Sequence, residues 1–246
     1  MLTVTGFGIL AAVTLMAVGA VYARALAEGG LLHAVSSKPA DVLDARIITQ
    51  NRPLGSADYQ RLRETIEPIN EEHLGFMIRK TQRLGQARPN LPLIEIMEDK
   101  SPPLDSIIGR PFFFTGFEQH SRLVEGRWPE SDPVLHQKGL DLEAVLGAKA
   151  ARSMGWTIGK QVFLIPFKGD PSERIAITVV GLAEPLDRDD EYWMGYSFYF
   201  NVQASEDNPL VPFYLPEDLF FSGLGTRYPA LVGDYTWFLY LNTGEI

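Results

Sequence analysis

The chain has 246 residues, 46% of them apolar and 22% charged, a globular balance that argues against wholesale disorder. Its formal net charge of −9 argues against a nucleic-acid or anionic-membrane surface, which needs clustered Lys and Arg. There is no cysteine, so disulfides, thiolate catalysis and cysteine-based zinc sites are excluded together.

Residues 1–23 carry no charge. As a helix they would be roughly 34 Å long, enough to cross a hydrocarbon core of about 30 Å. Tyr22 would sit at the far interface, and Gly8, Ala12 and Gly19 would let a neighbouring helix approach closely. A cleaved signal peptide is the rival reading, because Ala25-Leu26-Ala27 offers a small-residue cleavage site before Glu28. Against it, the run lacks a basic leader and is longer than the usual apolar region of a signal. The single Arg24 barely constrains orientation. The expectation is a membrane helix over residues 1–28 and an extracytoplasmic domain over 29–246.

Further along, residues 42–49 read as a strand. Ser56 is a candidate N-cap for a helix over 57–69, whose Tyr59, Leu62, Ile66 and Ile69 follow the spacing of one buried face. Residues 74–83 and 91–98 look like two strands, and 111–117 like a short, strongly apolar one. Residues 142–146, 161–167 and 175–182 have strand character, with a helix over 148–154 ending at Gly155. Residues 196–202 alternate aromatic and polar side chains as a half-buried strand does, and 210–215 and 235–241 complete the set. The sum is an α+β fold: one N-terminal transmembrane helix, then a mixed α/β extracytoplasmic domain with candidate lobe boundaries at 101–103 and 184–192.

No catalytic constellation emerges. The stretch from Gly155 to Gln161 has three residues between its glycines where a phosphate loop needs four, and Gln161 follows Lys160 where Ser or Thr belongs. His33, His73, His120 and His136 are scattered without metal-ligand spacing. The acidic run from Asp187 to Glu191 lacks the glycine and terminal glutamate of a calcium loop and reads as a solvated surface. The aromatics that crowd the C-terminal part, from Tyr192 to Tyr240, read as core before groove. Neither a catalytic residue, a cofactor nor a metal is therefore expected.

One ordered set of short motifs does stand out. Leu123-Val124-Glu125-Gly126-Arg127-Trp128-Pro129 is followed by Glu143-Ala144-Val145-Leu146-Gly147, then Ile158-Gly159-Lys160-Gln161-Val162, then Ile177-Thr178-Val179-Val180-Gly181-Leu182. Gly126, Gly147, Gly159 and Gly181 fall where strands end or turn and are expected to be structural. This order resembles the MacB-like periplasmic core domain of FtsX-like ABC transporter permeases, sharply over about sixty residues and loosely elsewhere. The resemblance implies a non-catalytic permease component in the cell membrane, its bulk extracytoplasmic, working as a dimer with a second copy. A separate cytoplasmic ABC ATPase would drive it, and no nucleic acid would be involved. No second apolar helix follows residue 241, so the expectation is either a piece of a longer multi-pass permease or a single-helix relative. A stand-alone anchored or secreted module holding a lipid or peptide is the alternative. An enzyme would require a cleft gathering His120 or His136 with carboxylates.

Overall fold

The β-branched and aromatic runs pair into one sheet. The computed structural model describes residues 44–88, 91–95, 107–130, 132–167, 173–204 and 208–242. Among them the strands are β1 (Ala45–Pro53), β2 (Ile78–Arg88), β3 (Leu91–Ile94), β4 (Ile108–Phe114), β5 (Ser121–Gly126) and β6 (Val134–His136). They continue with β7 (Gly139–Gly147), β8 (Gln161–Leu164), β9 (Ile175–Pro185), β10 (Gln203–Ala204), β11 (Pro209–Tyr214) and β12 (Val232–Leu241). The α-helices α1 (Ser56–Leu74) and α2 (Ala148–Met154), a single α-helical turn, Glu217–Leu219, and the π-helical turn that follows it, Phe220–Gly225, pack against them.

The pairing order closes on itself. β4 runs antiparallel to β3, β3 to β8 and β8 to β9; β9 is parallel to β7, β7 antiparallel to β11, and β11 parallel to β4. These strands therefore form a closed barrel, which removes its own free edges. Alternate residues of every barrel strand meet in one core: Leu93, Phe113, Leu142, Leu164, Ile177 and Phe213 are among them. Gly109 keeps that interior clear, since a Cβ there would lie 2.2 Å from a methyl of Leu164.

A ribbon leaves the barrel at β4. β2 takes the same edge of β4 as β3, through Leu84↔Phe114, Gly85↔Phe113 and Gln86↔Phe112, and β12 and β1 follow in antiparallel order. The inner face of this ribbon is covered by α1 through Tyr59, Leu62 and Ile66. Tyr59 stacks on Phe221 at 4.4 Å between ring centroids. The opposite face carries a second core of Leu84, Phe112, Phe114, Tyr214, Phe238 and Tyr240. Two 3₁₀ turns, Glu191–Trp193 and Tyr196–Phe200, roof it with Tyr192, Trp193, Tyr199 and Phe200.

A half-buried charge network locks α1 to the ribbon. Arg83 on β2 donates to Glu67 at 3.2 Å and to Glu217 at 3.1 Å. Glu217 also accepts the Tyr59 hydroxyl at 3.0 Å, and Glu67 accepts the Trp237 indole N–H at 3.4 Å. Each charge in the network has a partner, the condition under which buried ions are tolerated.

The expected α+β arrangement is overturned. The described chain is sheet-dominated, and its strands make one mixed sheet. The stretch 101–103 lies outside the described residues, and β3 before it pairs with β8 after it. Across 184–192, β11 and β12 return to pair with β7, β4, β2 and β1. The N-terminal helix of the same expectation, residues 1–28, lies outside the described residues. Among the described residues no helix is long and apolar enough to cross a membrane.

Local expectations shift for identifiable reasons. The aromatic run at 196–202 does not pair as a strand. Gly195, at φ +80°, turns the chain into a 3₁₀ helix whose rings roof the outer core. Alternating aromatics specify burial on one side, and a short tight helix meets that demand as well as a strand does. Helix α1 runs on to Leu74, so the strand expected from 74 begins at Ile78. Gly55 occupies its N-cap, with Ser56 already helical. Ile69, expected on the buried face, is 51% exposed, and Asn70 is buried in its place.

Candidate functional site

The motif segments separated in sequence converge on β9. Gly126 lies opposite Gly181 in the β5–β9 ladder, and the Arg127 N–H donates to the Val180 carbonyl at 2.9 Å. The Gly159 N–H donates to Val179 O at 2.8 Å, while Val179 N–H donates to Lys160 O at 2.9 Å. Gly147 ends β7 opposite Ala183 and serves as the N-cap of α2. Arg127 then reaches Glu143 on β7, with Nη1 2.7 Å from Oε2, and the Glu130 N–H donates to the same oxygen at 3.1 Å. The Arg127 guanidinium holds the Glu143 carboxyl below its usual range.

Backbone proximity explains why glycine is needed at three of these positions. A Cβ on Gly126, at φ +80°, would lie 2.1 Å from Val180 O. One on Gly181 would lie 2.3 Å from Arg127 O, and one on Gly147 2.1 Å from Phe200 O. Gly159, at φ +84°, has open space around it and needs glycine only for its left-handed backbone. The cluster holds four chain segments together.

The candidates for chemistry are occupied structurally. His120 Nδ1 lies 2.9 Å from Asp190 Oδ2, its ring stacks on Tyr192 at 3.7 Å, and its Nε2 faces Lys80 Nζ at 3.5 Å. Among the described residues the side-chain hydrogen-bond partners of that imidazole are Asp190 and Lys80. His136 pairs with Asp141 at 2.9 Å on the surface, and His33 lies outside the described residues. Among the described residues no three metal-donor side chains gather. Gly155 caps α2 in the left-handed region, and Lys160 is paired with Glu95 at 2.7 Å; the segment is a helix–turn–strand connection.

The acidic run is likewise engaged. Asp187 accepts the Asp189 N–H at 2.9 Å, and Asp190 caps its 3₁₀ helix through the Tyr192 N–H at 2.9 Å. Glu191 pairs with Arg79. Burial pushes Asp190 up, but the Tyr192 N–H, His120 and Lys80 outweigh it and hold the carboxyl below its ordinary value. The C-terminal aromatics are core: Trp193, Phe200, Phe213, Trp237 and Phe238 are fully buried, while Phe198 is 42% exposed.

One polar cleft stands apart from these interactions. Gln50, Asn51, Arg88, Val232 and Asp234 line about 340 Å³ beside the ribbon. A bulge between Thr49 and Arg52 in β1 throws Asn51 to φ +53°, a conformation rare outside glycine and tolerated by Asn. Its N–H thereby reaches the buried Asp234, whose Oδ1 accepts it at 3.1 Å. Asp234 Oδ2 accepts the Arg88 Nε–H at 2.8 Å. Behind them Arg110 is held below its usual value by burial, opposed by Tyr199, with Arg88 pushing it lower and Asp234 pulling it back. Tyr199 donates to Gln86 at 2.6 Å and joins this group to the outer core. None of these residues was singled out by sequence; the local signal was an Asn before Arg52-Pro53 in an otherwise regular strand.

No protein-family model matches this chain, and no curated protein is similar to it in sequence.

Proposed function

We propose that this chain is a non-catalytic component of an ABC-type transport or mechanotransmission complex, supplying the outer domain of an FtsX-like permease. The observation that carries the reading is the adjacency of β1 and β12, the first and last strands among the described residues, which are antiparallel neighbours with Ala45 opposite Leu239. A domain inserted beside a membrane between two anchoring segments needs its ends together in this way. The uncharged run at residues 1–23, just upstream, adds support, since such a run partitions into a bilayer.

The convergence of the motif glycines on β9 supports the same reading. Segments that resemble those of the permease domain in order also share one structural purpose here, that of bracing a single strand. On this proposal ATP chemistry belongs to a cytoplasmic ATPase partner, a second copy completes the dimer, and the outer domain relays motion.

The test begins with the genomic segment around the reading frame. The proposal expects a neighbouring frame encoding an ATPase with a phosphate loop. Coexpressed with the full chain in membranes, that ATPase should copurify with it in a nucleotide-dependent manner, and the chain alone should hydrolyse no ATP. Absence of any such frame, or two proteins that never associate in any nucleotide state, would end the proposal.

A further inference from the structure

Arg88 pairs with the carboxylate of Asp234 at 2.8 Å, and the buried Arg110 guanidinium feels the charges of both, in a protein whose net charge is −9. The positive excess is therefore local and not the ambient sign of the molecule. Both Asp234 oxygens are engaged: one takes the Asn51 N–H and the other the Arg88 Nε–H. Among the described residues Arg88 gives only its Nε to a protein acceptor, which leaves both Nη groups for another acceptor in the cleft it lines. The side-chain amides of Gln50 and Asn51, both exposed at the mouth, add donors of the right kind.

The cleft is built and not incidental. Asn51 holds an unfavourable backbone conformation so that its N–H can fix Asp234, and Asp234 in turn fixes the Arg88 fork. A guanidinium held by its Nε presents two parallel N–H vectors outward, the geometry that oxyanions accept. With Val232 as the one apolar lining residue, the site suits a charged headgroup and not an acyl chain. Its volume of about 340 Å³ leaves room for a substituent on the anion.

We infer that the cleft between the β1 bulge and Arg88 binds a small oxyanion of the phosphate class, either free or as the headgroup of a phosphate ester. The inference stands apart from the transport proposal and would survive its failure.

The test is a titration of the full chain followed by NMR of the Asn51 amide and the Arg88 Nε–H. Inorganic phosphate is one probe, and monomeric short-chain phosphatidic acid below its micelle concentration is the other. Both signals should shift saturably with phosphate. Arg88→Gln should abolish the shift, but it also strips buried Asp234 of its partner and so threatens folding. Gln50→Glu is the second variant: it leaves the Asp234 contacts intact, adds a like charge at the mouth, and should weaken binding about tenfold without moving the melting temperature. Arg79→Gln, which removes the partner of Glu191 elsewhere, should change nothing. Tighter binding of the ester than of phosphate assigns a headgroup ligand; the reverse assigns the free anion. No saturable shift with phosphate, or shifts that Gln50→Glu leaves unchanged, overturns the inference.

Discussion

Gly126 and Gly181 face one another across the β5–β9 ladder, and neither has room for a methyl group. The obstruction in both cases is a backbone carbonyl, Val180 O for the first and Arg127 O for the second, which cannot rotate away. Gly126→Ala and Gly181→Ala should each cost about 2–4 kcal/mol, combining overpacking with, for Gly126, a left-handed backbone. Gly159→Ala, with open space around it, should cost about 1 kcal/mol. Urea denaturation of the three variants gives the ranking, and a Gly159→Ala loss equal to the other two would contradict the steric account.

A second glycine contact is of a different kind. A Cβ on Gly85 would lie 2.2 Å from the Phe113 ring, a side chain that can be trimmed. Gly85→Ala should destabilise by about 1–3 kcal/mol, and part of that loss should disappear in the background of Phe113→Leu. A double-mutant cycle measures the coupling, expected at about 1–2 kcal/mol and favourable. Strict additivity would show that the ring already moves aside.

Arg83 ties α1 to the sheet through Glu67 and Glu217. Arg83→Met leaves both carboxylates without that cation and should cost about 3 kcal/mol. Adding Glu217→Gln to Arg83→Met removes one of the stranded charges and should restore a portion of the loss. Thermal denaturation of single and double variants decides this. An Arg83→Met protein as stable as the parent would mean that water already screens the network.

Glu67, Glu95, Glu143 and Asp190 are all held below their ordinary carboxylate values. For Glu67, burial pushes upward, but Arg63, the Trp237 N–H and Arg83 outweigh it. A depressed folded-state value means the unfolded chain binds protons first as pH falls, so the stabilisation is present above the unfolded carboxylate range and is lost below it. Stability should be nearly level from pH 7 to about 5 and decline steadily toward pH 3. The partly exposed Glu95 and Glu143 pairs should contribute least, and least of all in high salt. Urea midpoints measured across this range provide the check; a midpoint that rises on acidification would reverse the assignment.

The barrel strands were legible where β-branched or aromatic runs were long, as at 175–182 and 235–241, because such runs bury poorly in any other form. Closure of the barrel was not legible. It depends on β4 pairing with β11, Ile108 with Leu210, and no local signal reports a partner that far along the chain. The same distance hid the cleft: Asn51, Arg88, Arg110 and Asp234 come from four strands, and each alone reads as a solvated polar residue. The strand expected at 196–202 failed for another reason, since periodicity reports which side of a segment is buried and leaves open whether a strand or a tight turn buries it. Sequence placed the motif glycines where strands end or turn; Gly181 instead lies inside β9, and the meeting of the others with it is a fact of tertiary pairing.

The adjacency of β1 and β12 also sets how the molecule yields to a pull. Tension drawn through both ends would load their ladder from its open side, where Ala45 meets Leu239, and part the rungs one after another. Peeling of that sort gives way gradually and at low force. The barrel, joined to the ribbon by three β2–β4 pairs and by the two cores they share, would stay slack until the ribbon had opened. The ribbon is thus the compliant part, and the closed ring behind it the anvil against which it bends.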